Sequence, residues 1–338
     1  MHATPEVSEP LVDGSDVPRR PPPSLPLTDR LFHHSARAIG MLVLAITGSI
    51  GLFLAIQSIP TIRHYGLRFF TENQWQPEKD AIGISAVLLG TLCIATVALL
   101  IAFPLALLTA LYISEYAPLR VKATLISMID LMAAVPSIVY GLWGRDLMQP
   151  QLVYVAHWLH QHLGFIPFFK VDADPDAPVW QQSQYTASAF IAGVAVSMMV
   201  LPMACAVMRE VFAQAPVGER EAALALGGTK WGMIRTVVLP FGRGGIVGGT
   251  MLALGRALGE TIAVALIISP AFDLKVRVLE VGTISVSSLI ANRFGEATAS
   301  QLSALLMAGF VLFLITLLVN TMAAIIVNRS RSGAATEI

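Results

Sequence analysis

Residues 219–240 read EREAALALGGTKWGMIRTVVLP, and residues 242–269 read GRGGIVGGTMLALGRALGETIAVALIIS. The first stretch is a polar helical hairpin; the second is a long apolar run interrupted by Arg256 and Glu260. Pro216 suits a first helical turn, Glu219 and Glu221 favour the positive end of a helix dipole, and Gly227-Gly228 supply a left-handed stop. Thr229 caps a second short helix, which Pro240 limits. Helices under about 12 residues are marginal in water, so each needs a surface to lie against. An Ala/Leu face on a short helix between two apolar runs suits insertion into a partner's groove. The plainer alternative is an interfacial helix that only connects two spans.

Working outward, composition sets the class. Hydrophobic residues make up 55% of the chain and charged residues 13%, mean hydropathy is +0.69, and the apolar residues gather into long runs. The expectation is an all-α, polytopic membrane protein with six transmembrane helices, near residues 36–60, 81–113, 123–144, 186–209, 243–269 and 302–327. The second run is overlong and contains Pro104, so it either kinks there or continues past the bilayer surface. Residues 1–35 form an expected disordered cytoplasmic tail, rich in Pro, Ser, Asp and Glu. The apolar run after it is longer than a signal-peptide core, so it is taken as a permanent span. Residues 36–328 are then the six-helix membrane domain, with a loop over 210–240, and residues 329–338 a cytoplasmic C-terminal tail. Formal net charge is zero, and nothing points to nucleic acid. Cys93 and Cys205 fall inside apolar runs, where a thiol acts as a small hydrophobe.

Orientation follows the Lys/Arg bias. With the N-terminal tail cytoplasmic, that side holds Arg19, Arg20, Arg30, Arg37, Arg120, Lys122, Arg209, Arg220, Lys230, Arg235, Arg243, Arg329 and Arg331. The opposite side holds fewer, spread over longer loops. Both termini and the 210–240 loop are therefore expected inside.

The fifth run carries the chemistry. A charge near the bilayer centre costs at least about 2.5 kcal/mol even on lenient scales, so Arg256 and Glu260 should face protein or water. Four residues apart, they lie on one helical face and can pair. Gly248, Gly255 and Gly259 are expected to give small-residue surface for close packing. A guanidinium offers a planar, permanently charged fork of donors to an oxyanion. Glu260 would offset that charge, so that a passing anion is not trapped. A structural ion pair locking two spans or two subunits together is the competing reading.

Glu221, Ala222 and Ala223, then Gly227 after three residues, then Val237, Leu239 and Pro240, make a pattern that resembles the EAA loop of ABC importer permeases. GRALGETIAV, from Gly255 to Val264, and AAVPSIVYGLWG, from Ala133 to Gly144, resemble the matching segments of the phosphate-importer permeases in that family, of PstC type. The resemblance covers the chain from about residue 36 onward. It implies a MetI-like membrane fold and no ATPase activity of the chain's own. The implied partners are a PstA-like permease, a PstB-like ATPase dimer, a PstS-like external phosphate-binding protein and membrane lipid. Carried over residue by residue, Arg256 and Glu260 would serve anion translocation. Glu221, Ala222, Ala223, Gly227, Leu239 and Pro240 would serve ATPase coupling. No cofactor or metal is implied.

Other features carry less. Asp130 is a carboxylate that would repel phosphate, which favours an interhelix or subunit-interface role over a pathway one. Pro136-Ser137 marks a bend. A surface helix is expected around Val153–His162, and His157, His160 and His162 lack the carboxylate or cysteine that would complete a metal site. No G-x-x-x-x-G-K-[ST] phosphate loop occurs, and no Ser/His/Asp or paired-carboxylate set suggests catalysis. An importer of another oxyanion, such as sulfate or molybdate, and an ATP-independent transporter or channel are the alternative functions.

Overall fold

The structure is a computed structural model and describes residues 27–172 and 183–330. Residues 1–26 of the expected tail, the Asp/Pro turn after Ala173 and residues 331–338 lie outside the described residues. Contacts divide the chain into two units, Met1–Ile50 and Gly51–Ile338. The described part of the first is helix, with exposed side chains throughout. Helix α1 spans Leu27–Tyr65, with Asp29 in its first turn, so residues 27–35 are helical where a tail was expected. An acidic residue at the positive end of the dipole favours that start.

In the second unit, α2 (Arg68–Thr71) leads to a two-stranded antiparallel hairpin, β1 (Trp75–Gln76) and β2 (Ala81–Ile82), with Trp75 opposite Ile82. Helix α3 (Ser85–Leu111) continues through a π-helical turn, Tyr112–Tyr116. Pro104 does not interrupt it, so the second apolar run does extend as one overlong helix. Helices α4 (Leu119–Ala134) and α5 (Ser137–Trp143) follow, and a second π turn, Gly144–Met148, joins α5 to α6 (Gln149–Leu163). Then come α7 (Ala189–Ala213), α8 (Val217–Ala225), α9 (Lys230–Met233), a third π turn at Ile234–Val238, and α10 (Leu239–Phe241). Helices α11 (Arg243–Gly259), α12 (Ile262–Ile267), α13 (Val286–Arg293) and α14 (Ala299–Ser330) complete the described chain.

Among the described residues, four helices are long and apolar enough to cross a membrane, and up to six if each bent pair counts as one span. The third expected span is one of those pairs: α4 and the helix from Ser137 bend by 88°. Pro136 causes the break, because it cannot donate to Met132. Val135 N–H and the Tyr140 hydroxyl serve the Met132 carbonyl instead, donating at 3.3 and 2.9 Å. The carbonyl at the break thereby keeps its donors. The expected surface helix is present as α6 but is longer than its predicted bounds and runs on from α5.

The best-packed helix pair is α3 against α7. Ala98, Ala102, Ala106 and Ala110 recur every four residues on α3 and are all fully buried, giving the smooth stripe that lets two backbones approach. On α7, a Cβ at Gly193 would stand 2.5 Å from Val97 Cγ1. The end of α14 nearer Ala299 packs on a smaller core containing Phe69, Trp75, Ile84 and Leu289. Thr61 and Ser303 hydroxyls meet at 2.8 Å between α1 and α14.

The two longest connections are tied together. Val278 N–H donates to Phe168 O, and Phe190 N–H donates to Val278 O. Arg277 bonds both Asp172 and Glu280, while Lys275 reaches Glu280 at 2.7 Å. The Arg277 guanidinium holds the Asp172 carboxyl below its usual 3.8, so the tie is complete at neutral pH and is lost only as pH falls through that depressed value.

Helices α5 and α12 meet through glycine: a Cβ at Gly141 would lie 2.9 Å from Ala263 Cα. Backbone cannot swing aside as a side-chain tip can. Gly141→Ala is therefore expected to lower stability by about 1–3 kcal/mol, the usual cost of overpacking. A fall in the thermal unfolding midpoint of the detergent-purified chain measures it.

Candidate functional site

Helix α11 stops at Gly259. Glu260 takes an extended conformation (φ −66°, ψ 125°), and α12 begins at Ile262. The fifth span is therefore two helices where the sequence reads as one, which corrects the expectation of a continuous run over 243–269. Tertiary partners cause the break. Ser287 Oγ, from α13, donates to Glu260 O at 2.7 Å, and Glu260 Oε1 accepts from Ala263 N–H at 3.1 Å. Thr261 Oγ1 donates to Gly259 O at 3.1 Å. These bonds satisfy the Gly259 and Glu260 carbonyls and the Ala263 N–H released from the helix ladder, as an apolar interior requires.

The same break parts the two charges. Glu260 is buried, 8% exposed, and its carboxylate serves the first turn of α12. Arg256 stays on α11, exposed. Among the described residues the two form no ion pair, so the expected i,i+4 pairing is corrected: the i,i+4 geometry ends one residue before Glu260.

The packing face of α11 also differs from expectation. A Cβ at Gly242 would meet the Phe212 ring at 2.3 Å, at Gly245 Val211 at 2.5 Å, and at Gly249 Ala204 O at 2.9 Å. Gly248 and Gly259 have nothing within 4 Å, and Gly255 meets only Asn320 Oδ1 at 3.9 Å. The close-packing glycines are thus 242, 245 and 249. The side of α11 carrying Gly248, Leu252, Arg256 and Gly259 is open. Asn320, a polar residue on α14 beside that side, escaped sequence reasoning; its place inside the last apolar run was the available signal.

The 210–240 loop is a helical hairpin. Thr229 Oγ1 caps α9 by accepting from Gly232 N–H at 3.1 Å. Gly227 ends α8 in the left-handed region, φ +83°, with Gly228 N–H donating back to Ala223 O at 3.2 Å, the pattern of a glycine C-cap. Glu221, Ala222 and Gly227 are exposed and Ala223 half-buried; Leu226 is 90% exposed and Trp231 56%. The hairpin thus exposes two large apolar side chains beside carboxylates. Leu239 and Pro240 stand apart, on α10. Pro240 does not end the second helix, as the sequence suggested. The π turn at Ile234–Val238 widens the coil ahead of it and avoids the clash a proline makes with the preceding turn, and the helix runs to Phe241 before bending by 67° into α11.

Of the three histidines on α6, His160 shares a 2.6 Å hydrogen bond with the Tyr185 hydroxyl, and His162 stacks on Trp158. No group of three or more possible metal ligands comes together among the described residues.

Residues 102–332 match the family described as binding-protein-dependent transport system inner membrane component. The chain belongs to that family. It is 37% identical over 309 residues to the phosphate transport system permease protein PstC 2 of Mycobacterium tuberculosis, covering 90% of this chain and 93% of that protein. It is 38% identical over 265 residues to PstC of Xylella fastidiosa, covering 78% and 79% respectively. With the probable PstC of Methanocaldococcus jannaschii it shares 37% identity over 286 residues, 82% of this chain and 87% of that one. This permease component is accordingly a multi-pass membrane protein and a transport protein. The segments AAVPSIVYGLWG and GRALGETIAV approach each other closely at Gly141 and Ala263.

The arrangement at Glu260 separates a capping role from a charge role. Glu260→Gln keeps an acceptor for Ala263 N–H, whereas Glu260→Ala removes it. Stability in detergent should fall by about 1 kcal/mol for alanine and by much less for glutamine, the range of a lost helix cap. Thermal unfolding of both variants reads the difference, and equal losses would point to the charge.

Proposed function

We propose that the chain is the PstC-like transmembrane subunit of an ATP-driven importer of inorganic phosphate. It would share the translocation pathway with a PstA-like permease, receive phosphate from a PstS-like external binding protein, and draw energy from a PstB-like ATPase dimer. In this reading both termini and the α8–α10 hairpin face the cytoplasm, where ATP is available. The observation that carries it is Arg256: a guanidinium near the end of an apolar helix, exposed on the open side of α11, with no partner among the described residues. A permanent cation left unpaired in a membrane span is costly, and a polyoxygen anion supplies the acceptors it lacks. The neighbouring break at Glu260 fits a pathway as well, because irregular backbone at membrane depth is tolerated where it lines a cavity or is buried in protein. The likeness to PstC proteins over most of the chain supports phosphate as the anion.

In the mechanism, phosphate meets Arg256 where the second permease completes the open side of α11. Binding of ATP closes the ATPase dimer, the hairpin moves with it, and access to Arg256 alternates between the two sides. Glu260, held at the head of α12, keeps a negative charge near the path and weakens an attraction that would otherwise retain the anion.

Arg256→Ala is expected to leave the complex assembled and to reduce phosphate uptake by about 100-fold, the loss matching roughly 3 kcal/mol for hydrogen bonds to a charged group. Labelled-phosphate accumulation in cells measures it, and normal uptake would remove Arg256 from the pathway. Competition by sulfate and molybdate in the same assay decides the anion. For the hairpin, Glu221→Lys or Gly227→Val should reduce co-purification of the ATPase at least tenfold, by charge reversal and by a strained left-handed position respectively. Unchanged recovery would count against the docking assignment.

A further inference from the structure

The hairpin is fastened to its own chain at two adjacent residues. From α8, Arg220 Nη1 reaches Glu115 Oε1 at 3.1 Å, and the side chain of Glu115 is 4% exposed. Ser114 Oγ donates to the same carboxylate oxygen at 2.9 Å. From α9, the Lys230 ammonium lies 4.8 Å from the centroid of the Tyr116 ring. Glu115 and Tyr116 are the last residues of the π turn that closes α3. Each short helix of the hairpin therefore grips one of two consecutive residues. Arg220 Nη2 also donates to Phe212 O in the last turn of α7, and its Nε is buried with no acceptor. With that donor unmet, Glu115 supplies the countercharge on which the buried guanidinium depends.

The gripped turn stands between two unlike helices. Helix α3 buries eleven side chains or glycines along its length, whereas α4, which starts two residues after Ala117, buries only Ile129. A π turn is a local departure from helical register, and α4 beyond it packs lightly on the rest of the chain. Beyond α4, the chain bends at Pro136, continues as α5, and touches α12 at Gly141 and Ala263; α12 begins at the Glu260 break beside Arg256. We propose that the Arg220–Glu115 and Lys230–Tyr116 contacts form a clasp through which movement of the hairpin turns α4 and, by way of α5 and α12, reshapes the path at Arg256. Glu115 is thus a positioning residue for transport. The direct covalent link from α10 to α11 is a second route, whose Gly242 bend abuts the Phe212 ring.

The clasp rests on the importer reading, and its test uses the whole complex of this chain with its partner permease and ATPase, reconstituted in liposomes. Three quantities are read: ATPase co-purification, ATP hydrolysis, and phosphate taken up per ATP hydrolysed. Glu115→Gln should leave co-purification unchanged and lower uptake per ATP by about tenfold, within the range of coupling changes produced by residues away from both ligands. The charge swap Glu115→Arg with Arg220→Glu should restore most of it. Tyr116→Leu alters a side chain that is 46% exposed, so the fold tolerates it, and uptake per ATP should fall by about threefold, as loss of an exposed cation–π contact would give. Should Glu115→Gln fail to accumulate, Tyr116→Leu decides. Unchanged uptake per ATP in these variants overturns the clasp alone, as does a loss of ATPase co-purification in step with uptake. Absence of ATP-driven phosphate uptake in the unmodified complex overturns the importer reading and the clasp with it.

Discussion

A backbone carbonyl released where a helix breaks inside an apolar bundle has no water to turn to, and the structure of this chain depends on how two such breaks are satisfied. At Pro136 the replacement donors are local, Val135 N–H and the Tyr140 hydroxyl on Met132 O. At Glu260 it is distant in sequence, the Ser287 hydroxyl from α13. Both solutions fix direction as well as satisfy a hydrogen bond. The first sets the helix from Ser137 at 88° to α4; the second holds α13 against the start of α12. The helices that emerge from the two breaks then meet at Gly141 and Ala263, so the two irregular points are mechanically one.

The position of Arg256 follows from a packing decision made elsewhere on the same helix. Phe212 and Val211 on α7 press against Gly242 and Gly245, and Met208 lies by Gly249. That contact sets the rotation of α11, and rotation decides which side of a helix is spent on packing and which is left open. Arg256 falls on the open side with Gly248 and Gly259, where a Cβ would meet nothing within 4 Å. Which side stays open is a by-product of where the packing glycines were used.

The hairpin shows the same economy. Its apolar and acidic surface, with Leu226 and Trp231, is exposed, while Arg220 and Lys230 reach Glu115 and Tyr116. One pair of short helices thus combines an exposed apolar surface with an anchorage to the rest of the chain. Helices this short do not hold their shape alone, and their caps at Gly227 and Thr229, together with the anchorage, hold them against the ends of α3 and α7.

The six apolar runs, the hairpin with its glycine stop and the family were all legible in the amino-acid sequence, because hydrophobic run length, capping chemistry and motif spacing are local signals. Pairing of Arg256 with Glu260 was a fair inference from i,i+4 spacing, yet it failed, as did the choice of Gly248, Gly255 and Gly259 as the packing face. Both depend on partners far along the chain: the Ser287 hydroxyl that takes Glu260 O, and the Phe212 ring that claims Gly242. Sequence spacing determines which residues share a face only while a helix continues. Where it ends, and which face turns inward, were decided by tertiary contacts, because an unsatisfied polar group or an unfilled contact in an apolar bundle costs more than a helical turn contributes.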